Sequence, residues 1–234
     1  MKWIFFLLVL FLVLTVCSTM IIRMFSIGII KQGKLRNAIA LTFDDGPDPL
    51  YTPKLLEVLK KHGAKATFFV VGKKAATYPE LIQLIHREGH VVGIHNYIHF
   101  PNWLIPPNVL KKHLNKSKII IKDILGADPI YYRPPWGMFN AFTLMAAKGF
   151  QVIMWTSIPG DWKERLGSKE LLKRLISARK EGAIITLHDS GTSFGADRDA
   201  PRNMIEALDQ FLALDQSKQY SFVTVEQLLR SGEK

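Results

Sequence analysis

Short apolar segments alternate with helical segments between residues 38 and 229, and this alternation limits the possible folds more than any other property. Segments such as 66–71 and 183–187 have the length and β-branched composition of buried strands. Residues 51–61 carry leucines at helical spacing and are followed by Gly63, as at a helix end. Strands that alternate with helices form parallel sheets, so the sequence predicts an α/β fold, either closed as a barrel or open and doubly wound. Because no internal linker interrupts the pattern, we expect a single domain.

Length, cysteine content and charge narrow the class of protein further. A chain of 234 residues can bury the core of one large α/β domain. The single cysteine, Cys17, excludes an intrachain disulfide, so packing must hold the fold. The net charge of +11 favours acidic partners such as anionic lipid, wall polymer or nucleic acid, and lysines scattered over solvated helix faces are the alternative explanation of the charge. No nucleic-acid-binding motif accompanies the charge, and we predict neither a nucleic-acid partner nor an obligate protein partner.

The amino-terminal segment has the composition of a membrane anchor. Residues 3–22 contain no charged side chain and are long enough to span a bilayer as a helix. A cleaved signal peptide needs small residues at its cleavage site, which Val16 and Cys17 match poorly. We therefore predict an N-terminal transmembrane helix over residues 1–23, a basic linker over 24–36 and one domain over 37–234. A cleaved signal segment is the alternative.

The basic residues beside this segment do not indicate its orientation. Lys2 precedes the apolar run, whereas Arg23, Lys31, Lys34 and Arg36 follow it. Because basic residues concentrate on the cytoplasmic side of a membrane span, this distribution gives no support for export of the domain. The side of the membrane on which the domain lies must therefore be predicted from its substrate.

Polar side chains cluster at the points where the predicted strands end. Asp44 and Asp45 follow the apolar segment 38–41, and Gly46 then turns the chain. The other clusters also follow predicted strands: His95, His99, Arg133, Asp161 and His188. Active sites of α/β folds lie at the carboxyl ends of the strands, so this distribution predicts a site there. A solvated Asp-Gly turn is the alternative for the aspartate pair.

The spacing of two histidines suggests a metal site. His95 and His99 are four residues apart, which on a helical turn would place both imidazoles on one face. Together with the carboxylate of Asp45 they would form a hydrolytic metal site with open coordination positions. Asn96 stands where a zincin protease would need glutamate, which excludes that class. Capping or core histidines are the alternative.

The remaining clusters suggest charge control and sugar binding. Arg133 precedes two prolines and could orient a nearby carboxylate, although an ordinary surface arginine is the alternative. His188 could be held protonated by Asp161 or Asp189, or it could be a core histidine. Side chains alternate along a strand, so Asp44 should point away from its neighbour and have a separate role. Three aromatic residues near the clusters could form platforms for sugar rings: Trp136, Trp155 and Trp162.

The order of these motifs resembles that of the polysaccharide deacetylases, the NodB-homology domain of carbohydrate esterase family 4. The resemblance covers residues 38–229 and is carried by the segments 42–47, 95–99, 133–136, 161–162 and 186–188. It implies an irregular (β/α)-barrel that hydrolyses N-acetyl groups of an amino-sugar polysaccharide such as peptidoglycan or a chitin-like glycan. An O-acetyl esterase and a non-hydrolytic sugar-binding module on the same fold are the alternatives.

The resemblance also implies a metal and a location. Asp45, His95 and His99 would bind a divalent ion, most commonly Zn²⁺, with Co²⁺ or Mn²⁺ as the other options. The glycan substrate lies outside the cell. The resemblance therefore implies a single-pass protein of the cell membrane with an extracytoplasmic catalytic domain.

Roles in catalysis follow from the resemblance at five positions. Asp44 would be the general base and Arg133 would hold it in place. The backbone N–H of Trp136 would contribute to an oxyanion hole. His188 would protonate the leaving amine, and Asp161 would tune His188.

The sequence departs from the family pattern in three places. Asn96 replaces the usual serine or threonine after the first metal histidine, and its amide can still hydrogen-bond the loop. Thr186 replaces a leucine, which would make the pocket for the acetyl methyl group less apolar. The polar insertion at residues 190–201 could reshape the substrate groove.

Overall fold

A computed structural model describes residues 1–214 and 219–230 of the chain. The strands are β1 (Ile29–Ile30), β2 (Ala38–Asp44), β3 (Ala66–Val70), β4 (Val91–Ile94), β5 (Tyr131–Tyr132), β6 (Gln151–Ile153), β7 (Ala183–His188) and β8 (Ser221–Phe222). The helices are α1 (Lys2–Leu12), α2 (Ser18–Phe25), α3 (Tyr51–Lys61), α4 (Gly72–Thr77), α5 (Pro79–Arg87), α6 (Pro107–Leu125), α7 (Thr143–Ala146), α8 (Gly167–Ser177), α9 (Ala200–Leu214) and α10 (Val225–Leu229).

The strands form one curled parallel sheet in the order β1-β6-β5-β4-β3-β2-β7, with β8 paired to β2. Isolated bridges join the two edges of the sheet, because Ser157 pairs with Ile185 and Gln32 pairs with Ala183. The result is an irregular (β/α)-barrel. This confirms the predicted fold class and selects the closed arrangement over the open doubly wound one.

Strand β2 lies at the centre of the molecule, and every residue along it is buried. Parallel strands that are buried on both faces have apolar residues at successive positions. This explains why apolar and polar residues do not alternate along β2. The ring of Phe43 packs against that of Phe68 with centroids 5.1 Å apart. On α3, Leu55 and Leu59 are fully buried against the sheet, and burial of each such side chain contributes about 1.5–3 kcal/mol.

Most helix ends follow the predicted signals. Helix α6 ends at Gly126, whose φ of 73° is the left-handed conformation that glycine adopts without strain. Helix α10 starts with a capping box between Thr224 and Gln227. The structure also contains α4, which the sequence did not predict because six residues carry too little periodicity. The apolar segment 150–155 would predict a six-residue strand, but β6 covers Gln151–Ile153 and is shorter.

The amino-terminal helix is continuous from Lys2 to Phe25, with a π-helical turn at Val13–Cys17 between α1 and α2. Its most apolar stretch of 18 residues has a mean hydropathy of 2.8, so length and composition allow this helix of 24 residues to cross a membrane. No residue of α1 is buried, whereas Thr19 and Ile22 of α2 are buried against the domain. The segment 24–36, predicted as a linker, contains β1, which pairs with β6.

Candidate active site and metal centre

The carboxyl ends of the strands bring the predicted site residues to one place. Asp44 is the last residue of β2 and lies beside His188, the last residue of β7. Strand β4 leads into His95, and β5 leads into Arg133. These ends surround a pocket of about 280 Å³, lined by Asp44, Asp45, His95, His99, Trp136, Trp155, Ile158, Trp162, His188, Phe194, Gly195 and Ala196.

Three residues of the site have an unusual backbone. Asp45, Asn96 and Trp136 have φ values of 76°, 59° and 53°, the left-handed region that residues other than glycine rarely adopt. Each follows the end of a strand and turns the chain sharply there. Such conformations cost about 1–3 kcal/mol each and persist where the surrounding structure enforces them, often at functional sites.

One of these turns replaces a structure assumed from the sequence. The spacing argument placed His95 and His99 on a helical turn, but residues 95–100 form a loop with a bend at Tyr97 and Ile98. The positive φ of Asn96 reverses the chain instead, and the two imidazole centroids still come within 5.2 Å of each other. The two rings therefore converge for a different reason from the one predicted.

Asp45, His95 and His99 offer ligand atoms that all lie within 4.8 Å of one another. Oδ1 of Asp45 is 3.4 Å from Nε2 of His95 and 3.1 Å from Nε2 of His99. Nδ1 of His95 lies 2.8 Å from the Arg133 carbonyl oxygen. Since a carbonyl can only accept, Nδ1 carries the proton and Nε2 presents its lone pair. Oδ1 of Asp45 is buried with no good hydrogen-bond donor, and this donor set fits a divalent cation.

Electrostatics also suit a cation at this position. Burial opposes ionisation of Asp45, but the contacts with His95 and His99 outweigh it and hold the pKa of this carboxyl well below its usual range. Burial lowers the pKa of His99, which favours the neutral, ligating form of its imidazole. Lys74 of α4 fixes the backbone here, because its Nζ donates to the Asp45 carbonyl oxygen at 2.6 Å. Lys74 could not be predicted as a site residue, because α4 itself was not predicted.

Arg133 is fully buried and holds Asp44. Its Nη1 donates to Asp44 Oδ1 at 2.7 Å and to Thr42 Oγ1 at 2.8 Å. Its Nε and Nη2 donate to the carbonyl oxygens of Ile153 and Met154. Every donor nitrogen therefore has a partner, and the alternative of an ordinary surface arginine is wrong. The ion pair fixes Asp44 at the pocket wall with its charge compensated.

His188 pairs with one of its two predicted partners. Its Nδ1 is 3.0 Å from Asp161 Oδ1, and its backbone N–H donates to Asp161 Oδ2 at 2.6 Å. Burial favours the neutral ring, but the charge and hydrogen bond of Asp161 outweigh it and raise the pKa of His188 to about 10. Asp189 instead accepts a hydrogen bond from the Thr52 hydroxyl at 2.5 Å and packs beneath Gly46. Burial raises the pKa of Asp189 to about 7.

The departures from the family pattern have structural explanations. Asn96 is fully buried, donates to Asn102 Oδ1 at 2.9 Å and accepts from the Tyr132 hydroxyl at 2.9 Å. Its amide therefore secures the histidine loop. Thr186 lies inside β7 with its hydroxyl 3.3 Å from that of Thr42, and it is not among the residues that line the pocket. The effect of Thr186 on the pocket for the acetyl methyl group stays a prediction.

The pocket walls are aromatic, as expected for sugar binding. Trp136 packs on His99 with ring centroids 4.1 Å apart, and Trp162 packs on His188 at 5.4 Å. Trp155 and Phe194 complete the wall, and Phe194 is 87% exposed. Sequence reasoning missed Phe194, although a phenylalanine in the polar insertion 190–201 was a usable signal.

Comparisons with known proteins agree on one family. A family profile described as polysaccharide deacetylase matches residues 31–154. A peptidoglycan-N-acetylglucosamine deacetylase of Bacillus cereus is 34% identical over 196 residues, covering 82% of this chain and 88% of the relative. The structure of peptidoglycan deacetylase PdaC from Bacillus subtilis has a TM-score of 0.73 at 34% identity and covers 82% of this chain and 90% of that chain.

A third match shows that the fold alone does not decide activity. The structure of BA3943 from Bacillus anthracis, described as a pseudoenzyme of carbohydrate esterase family 4, has a TM-score of 0.75 at 26% identity. It covers 85% of this chain and 68% of that chain. Assignment of an activity must therefore rest on the individual residues of the pocket.

Proposed function

Because this chain belongs to the polysaccharide deacetylase family, we propose that it hydrolyses N-acetyl groups from the amino sugars of peptidoglycan. The observation that supports this most is the content of one pocket. A set of three metal-ligating side chains, an ion-paired carboxylate and an imidazole paired with a buried aspartate all line it or touch it. Metal-assisted amide hydrolysis uses each of these elements: an ion that activates water, a general base and a general acid.

The metal ligands are Asp45, His95 and His99. Two neutral imidazoles and one carboxylate leave coordination positions open for water and substrate, and they suit Zn²⁺ first, with Co²⁺ and Mn²⁺ as alternatives. When bound, such an ion lowers the pKa of water and polarises the acetyl carbonyl group. The low pKa of Asp45 keeps the charged ligand available across the physiological range.

Asp44 is the general base. It lines the pocket beside the metal ligands, and its ion pair with Arg133 leaves its second oxygen, Oδ2, without a link to the guanidinium. Asp44 takes the proton of the attacking water as the new C–O bond forms. Arg133 keeps the carboxylate in place and offsets its charge, so that the base does not swing toward the metal ligands.

His188 is the general acid, and Asp161 keeps it charged. An amine leaves a tetrahedral centre only when its nitrogen is protonated, and a cationic imidazole supplies that proton. An alkoxide leaves more readily than an unprotonated amine, so a protonated His188 is needed for N-acetyl substrates and matters less for O-acetyl substrates. The backbone N–H of Trp136 donates to the developing oxyanion.

The chain is anchored in the cell membrane as a single-pass protein with its catalytic domain outside the cytoplasm. Residues 1–23 form the anchor, residues 24–36 the basic connection that includes β1, and residues 37–234 the catalytic domain, of which 215–218 and 231–234 lie outside the described part. The apolar helix Lys2–Phe25 and the wall glycan named for the relatives support this arrangement.

Acetate release tests the proposed activity directly. The full chain, purified in mild detergent and loaded with Zn²⁺, should release acetate from peptidoglycan and from acetylated chitooligosaccharide, with less released from an O-acetylated glycan. The Asp44→Asn variant is the matched control, since it keeps the size of the side chain. Glycan binding without acetate release would indicate a sugar-binding module instead, and faster release from the O-acetylated glycan would indicate an esterase.

A further inference from the structure

The amino-terminal helix runs antiparallel to the strand that follows it. A short turn over residues 26–28 connects α2 to β1, with left-handed φ values at Ser26 and Gly28. Lys31, at the carboxyl end of β1, donates to the Arg23 carbonyl oxygen at 2.6 Å. From Phe25 toward its amino end, the helix therefore approaches the carboxyl ends of the strands.

The contacts of the helix follow the same direction. The Arg23 guanidinium lies 5.2 Å from the ring centroid of Trp155, a wall of the catalytic pocket. One turn earlier, the Thr19 hydroxyl donates to the Phe139 carbonyl oxygen at 2.7 Å and accepts from Trp103 Nε1 at 2.9 Å. Phe139 and Trp103 belong to the loops after β5 and β4, so the helix passes beside the active-site end of the barrel.

Among the described residues, the contact with the domain nearest to the amino end of the helix is made at Leu14, whose carbonyl oxygen accepts the N–H of Ala141 at 2.8 Å. Beyond it α1 projects past the active-site end with all its residues exposed. From Lys2 to Val13 the free helix is about 18 Å long, against a hydrocarbon core of about 30 Å. The free part of the helix is too short to cross the hydrocarbon core alone. A bilayer that the whole helix crosses must therefore also surround the part of the helix that contacts the loops at the carboxyl ends of the strands.

These loops present apolar side chains to solvent. Phe100, Leu104, Phe142 and Phe194, here called the rim, are 42%, 57%, 42% and 87% exposed. They follow β4, β5 and β7 and so lie at the end from which α1 projects. The loop 178–182 at the opposite end carries Arg179, Lys180 and Glu181 instead. Exposed apolar groups next to an apolar helix are what a membrane-facing surface requires.

Polar groups at the helix contact are already paired. Thr19 uses its hydroxyl three times, since it also accepts the Phe139 N–H at 3.0 Å. The hydroxyl of Thr15 donates to the Phe11 carbonyl oxygen at 2.6 Å. A group near hydrocarbon must find its partners within the protein, and these groups do so. The contact between helix and domain can therefore persist beside lipid.

We propose that the rim docks on the phospholipid bilayer that holds α1, so that the catalytic pocket opens toward the lipid surface. This rests on the membrane anchoring given under the proposed function. Arg23 and Lys31 lie beside the pocket wall and face the level of the anionic headgroups. In this orientation the pocket reaches acetylated amino sugars that are held at the lipid surface, including sugars linked to lipid.

Depth-dependent quenching tests the docking on the full chain. In a Cys17→Ser background, single cysteines at Leu8, Leu104, Phe142 and Ile130 carry a fluorophore, and the chain is reconstituted in phosphatidylglycerol vesicles with nitroxide lipids. Ile130 is the matched control, an apolar residue 45% exposed just before β5, at the other end of the barrel. Fluorescence should fall at Leu8, Leu104 and Phe142 and stay unchanged at Ile130.

The outcomes separate the inference from the proposal on which it rests. Quenching at Leu8 alone would keep the anchor and overturn the docking, and equal quenching at Ile130 would overturn the orientation. Loss of quenching at Leu8 would overturn the anchor as well. As a second measurement, Leu104→Ser/Phe142→Ser should deacetylate an N-acetylglucosamine glycolipid in vesicles more slowly than the parent. Its rate on soluble acetylated chitooligosaccharide should be unchanged, whereas an equal loss on both substrates would contradict the docking role.

Discussion

His90 and His188 lie at opposite ends of the same parallel sheet, and their pKa values are shifted in opposite directions. At the amino end, His90 is buried before β4, and its Nδ1 accepts the Ala66 N–H at 3.1 Å. Burial lowers the pKa of His90 to about 4. At the carboxyl end, Asp161 raises the pKa of His188 to about 10. One imidazole is a neutral acceptor and the other a cation, and the presence of a buried carboxylate makes the difference.

The same contrast holds for the two ends as a whole. The carboxyl end concentrates charged side chains, left-handed backbone and aromatic walls around one pocket. The amino end uses its buried polar groups to complete the hydrogen bonding of the sheet. Substitutions at the carboxyl end should therefore lower the metal content and the rate of deacetylation. Substitutions at the amino end should instead lower the free energy of unfolding.

The largest effect is expected at the metal ligands. His99→Ala removes one of two imidazoles, so the bound ion should be lost and acetate release should fall to background. Metal content by mass spectrometry and acetate release measure both effects. His90→Gln is the control from the opposite end and should keep metal and rate at pH 7.5. Loss of metal in both variants would remove the distinction between the two ends.

A smaller effect is expected at the general base. Asp44→Asn removes the proton acceptor but no ligand, so kcat should fall about 10²–10⁴-fold with metal still bound. Asp45→Asn should instead weaken metal affinity, because an amide is a poorer ligand than a carboxylate. Metal titration and kcat on both variants, at matched circular dichroism, distinguish the roles. The reverse pattern would exchange the two assignments.

Arg133 tests whether a residue at the carboxyl end can also support the fold. Arg133→Met leaves Asp44 without its buried partner, which should lower the free energy of unfolding by about 3–5 kcal/mol. Denaturant unfolding in mild detergent measures the loss. The double variant Arg133→Met/Asp44→Asn removes the unpaired charge and should recover part of it. If the double variant is no more stable than Arg133→Met, the loss does not come from the unpaired carboxylate.

The smallest effect is the pH dependence at His90. An unfolded histidine has a pKa near about 6.5, so between this pH and pH 4 only the unfolded chain takes up the proton. Stability is therefore present above pH 6.5 and falls as the pH drops toward 4. Between pH 7 and pH 4.5 the native chain should lose about 2–3 kcal/mol more than His90→Gln. Equal losses in denaturant unfolding would show that His90 does not titrate in this way.

The sequence predicted the fold class and the location of the site because both follow from strand–helix alternation. Polar residues after β2, β4, β5 and β7 were recognisable since the strands before them are apolar. The geometry of the histidine loop was not predictable, because the left-handed φ of Asn96 depends on its buried contacts with Asn102 and Tyr132.

Other features depend on contacts distant in sequence and leave no local pattern. The choice of Asp161 over Asp189 as partner of His188 is set by the loop after β6. The burial of Arg133 depends on Thr42, which lies 91 residues away. The pairing of β1 with β6 was hidden because two residues carry no periodicity. The roles of the site residues still require the variants described above.

The short turn between α2 and β1 has a mechanical consequence. Because β1 is hydrogen-bonded into the sheet and α2 is packed on the loops, the domain cannot swing on its anchor as a tethered domain would. From Leu14, where the helix leaves the protein, to Arg23 beside the pocket wall is about 14 Å along the helix axis. Under the proposed anchoring, the helix would hold the catalytic pocket at a constant height above the bilayer. The enzyme would then diffuse in two dimensions and deacetylate only the glycan that lies in one layer next to the membrane.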